Sequence, residues 1–184
     1  TSRTPIKLAL TELAKDGLVD LVPRRGAFVR TIAHTDIIEL YEIRRVFEGL
    51  AGRLAARHAE EGDLAALESA NREYADAVAE LSQTDSVEPE GVRKTKELDM
   101  RFHLRVLDAT GNRNLTRLGG LEVIELLSFL YGNPINPVAT GMRTNEEHVR
   151  IIASIRDRDE ERAERLAREH ITHAIDILEG RTAE

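Results

Sequence analysis

Asp99 and His103 stand four residues apart in Leu98-Asp99-Met100-Arg101-Phe102-His103. That spacing puts a carboxylate and an imidazole on one face of a helix, one turn apart. His148 and His170 follow, in Glu146-Glu147-His148-Val149-Arg150-Ile151-Ile152 and Ala167-Arg168-Glu169-His170-Ile171. Three imidazoles and one carboxylate form a donor set for a divalent metal that suits Zn, Ni, Mn or Fe(II) equally. The same residues also read as an Asp–His hydrogen bond beside two unrelated helical histidines, because spacing ties only Asp99 to His103. Leu98, Phe102 and Val106 flank that pair and direct its face toward a core. His34, His58 and His173 read as surface or packing residues.

A helical scaffold has to hold these side chains. The chain has 184 residues, 41% hydrophobic, 32% charged and only 4% aromatic, which favours Leu, Ala and Val packing between helices. No apolar run reaches the ~18 residues of a membrane span, and no secretory signal opens the sequence. Cysteine is absent, which removes disulfides, thiolate ligands and cysteine nucleophiles and fits a cytoplasmic location. Apolar residues recur at helical spacing from Asp36 to Ala59, with Thr35 as the cap, and again from Leu64 to Leu81. After a polar break at Ser82–Pro89, a third stretch runs to Thr110 and stops at Gly111-Asn112. A fourth spans Asn114–Tyr131, and Gly132-Asn133-Pro134-Ile135-Asn136-Pro137 is the strongest breaker in the chain. Helices over 138–157 and 159–179 complete an all-α antiparallel bundle of six to seven helices.

The first thirty residues differ. The net charge is −7, yet residues 1–30 hold six Lys/Arg against three acids, leaving 20 basic and 30 acidic side chains for the rest. A basic head on an acidic body suits a polyanion. Ser2-Arg3-Thr4-Pro5 reads as a helix start, with Ile6, Leu10, Leu13 and Ala14 at helical spacing and Lys15-Asp16-Gly17 as the stop. Leu18–Val22 and Ala27–Val29 read as strands joined by the turn Pro23-Arg24-Arg25-Gly26. Arg3, Thr4 and Lys7 share the exposed start of that helix, and Arg25 and Gly26 the basic turn. A DNA-reading head and a capped helix with a solvated basic turn both fit these residues.

The segments Ser2–Leu10, Glu12–Val19 and Val22–Val29 closely resemble the end of the winged-helix domain of GntR-family bacterial repressors. The resemblance implies a partial winged helix-turn-helix over residues 1–31, with Ser2, Arg3, Thr4 and Lys7 in the recognition helix and Arg25 and Gly26 in the wing. Lys7 stands where the family usually has Arg, which replaces bidentate guanine readout by phosphate contact. The family also has two helices before this point that the sequence does not contain, so weak DNA binding is expected of the chain as it stands. Leu98–His103, Ala109-Thr110-Gly111-Asn112, Glu147-His148 and Glu169-His170-Ile171 resemble the FadR-like branch of the same family. Its helical effector and dimerisation domain, called FCD, is expected over residues 35–180. That domain typically holds a metal by one Asp and three His, which implies Asp99, His103, His148 and His170 as ligands, zinc first and Ni, Mn or Fe otherwise.

The resemblance further implies a small organic acid as effector, bound beside the metal. Asn145, one turn before His148, is placed to hydrogen-bond it. Arg44, in Tyr41-Glu42-Ile43-Arg44-Arg45, matches a position where similar proteins aim an Arg at the pocket. With Glu39 and Glu48 on the same helix, Arg44 reads equally as half of a surface salt bridge. The resulting expectation is a homodimeric, ligand-responsive repressor on a palindromic operator, without enzymatic activity. Two rivals are a metalloenzyme acting on a small carboxylic acid and a direct metal sensor. No His has Glu three residues before it and no His-Glu-x-x-His run occurs, which counts against the enzyme.

Overall fold

The computed structural model describes residues 3–15, 17–30, 33–83, 89–118 and 137–181. Two compact units divide the chain, Thr1–Asp36 and Ile37–Glu184.

In the first unit, helix α1 (Arg3–Lys15) leads into strands β1 (Val19–Val22) and β2 (Gly26–Val29). Gly17, with φ 75°, ends the helix in the left-handed conformation that glycine adopts without steric cost. The Leu18 amide then donates to the Leu13 carbonyl at 3.0 Å. The strands pair antiparallel, Val19 opposite Val29 and Val22 opposite Gly26. The turn between them closes with the Arg25 amide on the Val22 carbonyl at 3.0 Å, and Arg24 takes a φ of 62°. β2 thus starts at Gly26, one residue earlier than the sequence pattern places it.

The second unit is helical. Its elements are α2 (His34–His58), α3 (Glu61–Ser82), α4 (Pro89–Asp108), α5 (Arg113–Leu118), α6 (Pro137–Arg156) and α7 (Glu160–Leu178). Thr35 is not the cap of α2. The helix begins at His34, and Asp36 reaches back to accept from the Ala33 amide at 3.2 Å, which satisfies a first-turn donor. At the start of α3 the Asp63 carboxylate reaches back to accept from the Glu60 amide at 2.8 Å. Asp159 caps α7 by accepting from the Arg162 amide. The sequence-predicted fourth helix is described only as far as Leu118. The remainder, the breaker at 132–136 and Ser2 lie outside the described residues.

α3 packs on α4 and α6, and α6 on α7. The core joins Leu64 and Leu67 of α3, Phe102 and Val106 of α4, Ile151 and Ile155 of α6, and Ala163 and Ala167 of α7 to a row of small residues on α2: Ala51, Ala55, Ala56 and Ala59. α2 lies against α7 closely enough that a Cβ added at Gly52 would stand 2.9 Å from the Ala163 carbonyl and 3.2 Å from the Ala167 Cβ. Arg53 donates to Glu164 at 3.1 Å and Arg57 to Glu160 at 2.9 and 2.6 Å along the same seam. No helix among the described residues is long and apolar enough to cross a membrane.

Gly52→Ala is therefore expected to lower stability by about 1–3 kcal/mol through overpacking, despite gaining ~1 kcal/mol of helix propensity. Gly62→Ala, whose added Cβ meets nothing within 4 Å, is expected to raise stability by up to ~1 kcal/mol. Urea unfolding of both variants checks this, and equal effects would show that α2 and α7 do not approach so closely.

Candidate metal centre

α4 presents two faces one residue apart. Leu98, Phe102 and Val106 are buried in succession, and Asp99 and His103 ride beside them. Phe102 is fully buried and stacks on the His148 ring of α6, centroids 3.7 Å apart and planes inclined 18°. That contact fixes where His148 sits. His170 arrives from α7. The four residues each direct one donor atom to a common point, all such atoms lying within 4.8 Å of one another. Asp99 Oδ1 is 3.5 Å from His148 Nε2 and 3.8 Å from His103 Nε2, and the Nε2 atoms of His103 and His170 are 3.3 Å apart.

The far nitrogen of every ring has an oxygen within 3.1 Å, although the contact at His103 Nδ1 is close without being aligned as a hydrogen bond. His170 Nδ1 lies 2.7 Å from Glu147 Oε2, His148 Nδ1 3.1 Å from Asn71 Oδ1, and His103 Nδ1 2.8 Å from Glu48 Oε1. Asn71 donates its amide to Asn145 Oδ1 at 2.9 Å, so its own oxygen is the atom left to accept from His148. A carboxylate can only accept. These acceptors favour, for a neutral ring, the proton on Nδ1, turned outward, and the lone pair on Nε2, turned inward. Asp99 Oδ1 and His148 Nε2 are buried without a hydrogen-bond partner among the described residues. Buried polar atoms are almost always satisfied, so this pair asks for a partner. Inward lone pairs 3.3 Å apart repel unless positive charge lies between them. The donor types and their separations fit a divalent transition metal, whose bonds of about 2.0–2.2 Å place neighbouring donors roughly 3–3.5 Å apart.

Electrostatics favour the metal-binding protonation state. Burial pushes His148 well below the ordinary imidazole range, and the charges of His170, His103 and Arg44 push the same way. Burial also lowers His103, with Glu48 opposing and Arg44 adding. For Glu147, burial works to raise the carboxyl, but hydrogen bonds from His170, Arg143 and His173 outweigh it and hold it down at about 2. Tyr74, buried beside the site, is pushed up by desolvation and by the Asp99 charge and stays protonated.

The remaining sequence-predicted residues fall as follows. Arg44 is 3% exposed and lies 3.4 Å from Glu48 at the centre, so its ion pair is real but not a surface one. Asn145 lies behind His148, bonded to Asn71. His173 is more than a surface residue: its Nδ1 donates to Glu147 Oε1 at 2.5 Å, and its Nε2 accepts from Arg143 at 2.6 Å. In the N-terminal unit Arg3 starts α1 and Thr4 and Lys7 are exposed on it, while Arg25 and Gly26 are exposed at the hairpin. The Arg25 guanidinium stands 5.6 Å over the Phe28 ring. Reading the sequence missed Glu48, Asn71 and Glu147. Arg44 and Glu48 at i, i+4 were visible as a pair, but nothing local marked them as buried.

The helical unit holds a buried His/Asp cluster and follows in sequence a unit made of a helix and a β-hairpin. Residues 39–173 match the FCD domain family. The uncharacterized HTH-type transcriptional regulator YdhC of Bacillus subtilis is 30% identical over 96% of this chain and 75% of its own length. A probable D-xylose utilization operon transcriptional repressor of Paenarthrobacter nicotinovorans is 31% identical over 93% and 70%. Among solved structures, E. coli McbR/YncC shares the fold at a TM-score of 0.77 and 20% identity, over 99% of this chain and 87% of that one. The chain belongs to the FCD-domain family of transcriptional regulators. These relatives are regulators, not enzymes, which sets aside the metalloenzyme reading.

The low value at Glu147 has a pH consequence. An acid whose folded pKa is depressed stabilises the fold above its unfolded value of about 4.5 and loses that contribution as pH falls toward about 2. In chelator-treated protein, the stability gap between wild type and Glu147→Gln is expected to be widest above pH ~5, on the order of 3 kcal/mol at most, and to shrink through that window. A gap that stays constant with pH would show that Glu147 is not held down by its histidines.

Proposed function

We propose that this protein is a metal-dependent, effector-responsive transcriptional repressor, with Asp99, His103, His148 and His170 as the ligands of one divalent ion, zinc first. The observation that carries this is the inward convergence of three Nε2 atoms and Asp99 Oδ1, two of them buried without a partner among the described residues. A divalent ion there supplies positive charge and Lewis acidity to the bundle core. Arg44 and Asn145 then recognise a small organic acid, Arg44 by its guanidinium and Asn145 by its free amide edge. Binding changes operator affinity through helices that favour one of two arrangements. Arg3, Thr4 and Lys7 of α1, with Ser2 before them, contact a palindromic operator, and Arg25 and Gly26 approach it from the hairpin.

A homodimer follows from the two-fold logic of such operators. An apolar stripe on α2 supports it: Ile43, Val46 and Leu50, spaced i, i+3 and i+7, are 48%, 51% and 39% exposed. A cytoplasmic location suits a DNA-bound regulator.

Elemental mass spectrometry of untagged protein is the test of the centre. About one transition metal per chain is expected in wild type and less than a tenth of that in His148→Ala. Absence of metal from both, even after incubation with Zn and Ni, would reduce the four residues to packing groups. For the DNA half, a gel-shift series on protein that includes the preceding helices should show Arg25→Ala weakening operator binding tenfold or more. An unchanged shift would remove Arg25 from the interface.

A further inference from the structure

α2 supplies no ligand to the centre, yet it buries a charged pair there. Arg44 and Glu48 are 3% and 5% exposed, one turn apart. Taking both charges out of water costs more than their mutual attraction returns unless further contacts compensate, and an Arg–Glu distance of 3.4 Å is a long one. The shorter contact is with the cluster: the same oxygen, Glu48 Oε1, lies 2.8 Å from His103 Nδ1. His103 is itself 4% exposed, and its other nitrogen faces His170 Nε2 at 3.3 Å and Asp99 Oδ1 at 3.8 Å. Only one tautomer serves both sides, with the proton on Nδ1 toward Glu48 and the lone pair on Nε2 toward the cluster.

Glu48 differs from the other two acceptors. Asn71, on α3, is neutral and steadied by Asn145. Glu147 sits on a ligand-bearing helix and divides its oxygens among His170, His173 and Arg143. Glu48 alone brings a carboxylate to the centre from a helix with no ligand of its own, together with a buried guanidinium as compensating charge.

We propose that Glu48 is a positioning residue for the metal centre: it fixes His103 as the Nδ1–H tautomer and strengthens its Nε2 as a donor, with Arg44 offsetting the buried charge. The proposal rests on the metal reading above. A carboxylate behind a ligand imidazole raises its basicity and holds its orientation, and loss of such a partner costs about 10–100-fold in metal affinity. Arg44 thereby acquires a role at the centre with or without an effector.

The test compares wild type, Glu48→Gln, Glu48→Asp and the double variant R44M/E48L. Zn²⁺ and Co²⁺ affinities are read by competition against a chromophoric chelator. The visible spectrum of the Co²⁺ form reports the ligand field, and long-range ¹⁵N–¹H NMR on chelator-treated protein reports the His103 tautomer. Glu48→Gln should bind both ions about 10–100-fold more weakly with an altered Co²⁺ spectrum, and Glu48→Asp should recover part of the loss. R44M/E48L replaces the pair by apolar groups and should keep or raise stability while binding metal as weakly as Glu48→Gln. It gives the answer even where the single variant leaves Arg44 stranded and unfolds.

Affinities within twofold of wild type, an unchanged Co²⁺ spectrum and an unchanged tautomer would overturn the proposal and leave Glu48 a packing partner of Arg44. Wild type that takes neither ion would defeat the metal reading instead, and the tautomer then decides about Glu48. His103 protonated on Nδ1 in wild type and mixed in the variants upholds the positioning role, and no difference removes it.

Discussion

Repulsion at the middle of the bundle is the constraint on which the rest depends. Three imidazole nitrogens and a carboxylate oxygen face one another within 4.8 Å in a water-poor core. Nothing apolar holds such groups together, and each would gain by turning to a proton donor. They stay because their surroundings leave no other orientation: Phe102 lies flat against His148, and Glu48, Asn71 and Glu147 pin the outer nitrogens. The four inward donors come from α4, α6 and α7, and the outer oxygens from α2, α3 and α6. Every described helix of the bundle except α5 is tied to this point by a polar contact or a ligand position. Apolar packing gives the bundle its stability, and the polar cluster gives it a single register.

The charges around the cluster set what can occupy it. Asp99, Glu48 and Glu147 bring three carboxylates, and Arg44 and Arg143 two guanidiniums. The lowered pKa values of His103 and His148 keep protons from neutralising the interior at ordinary pH. On the proposed reading, a divalent cation would turn this local balance positive, and Arg44 would add to the attraction for an acidic effector.

How much of this the sequence discloses depends on distance along the chain. The hairpin and α1 are readable because Gly17, Pro23 and Gly26 punctuate them locally. Asp99 and His103 are readable as a pair because one helical turn joins them. His148 and His170 are joined to that pair only through the tertiary fold, so residue spacing leaves them optional and family resemblance has to supply the link. Glu147 is subtler: it precedes His148 but serves His170 across the helix interface, since adjacent residues on a helix point about 100° apart. Asn71 is a lone polar residue in an ordinary helix, and its role appears only when α3 meets α6. Thr35 fails as a cap because the helix already begins at His34, which puts Thr35 inside its first turn.

α2 shows how composition serves geometry. Beyond the buried Ile37 and Tyr41 near its start, its buried side from Gly49 onward is built from Gly49, Ala51, Gly52, Ala55 and Ala56, residues that contribute little apolar area each. Their smallness lets the backbone approach α7 so closely that a Cβ at Gly52 would collide with main chain, and one at Gly49 would fall 2.6 Å from the Arg168 side chain. A glutamate reaches only a few ångströms from its helix. Larger residues at these positions would lift α2 away and break the 2.8 Å approach of Glu48 to His103. Small residues at these positions are thus the condition for the polar contact. The same helix starts at His34, inside the N-terminal unit, and runs on past Ile37, where the second unit begins.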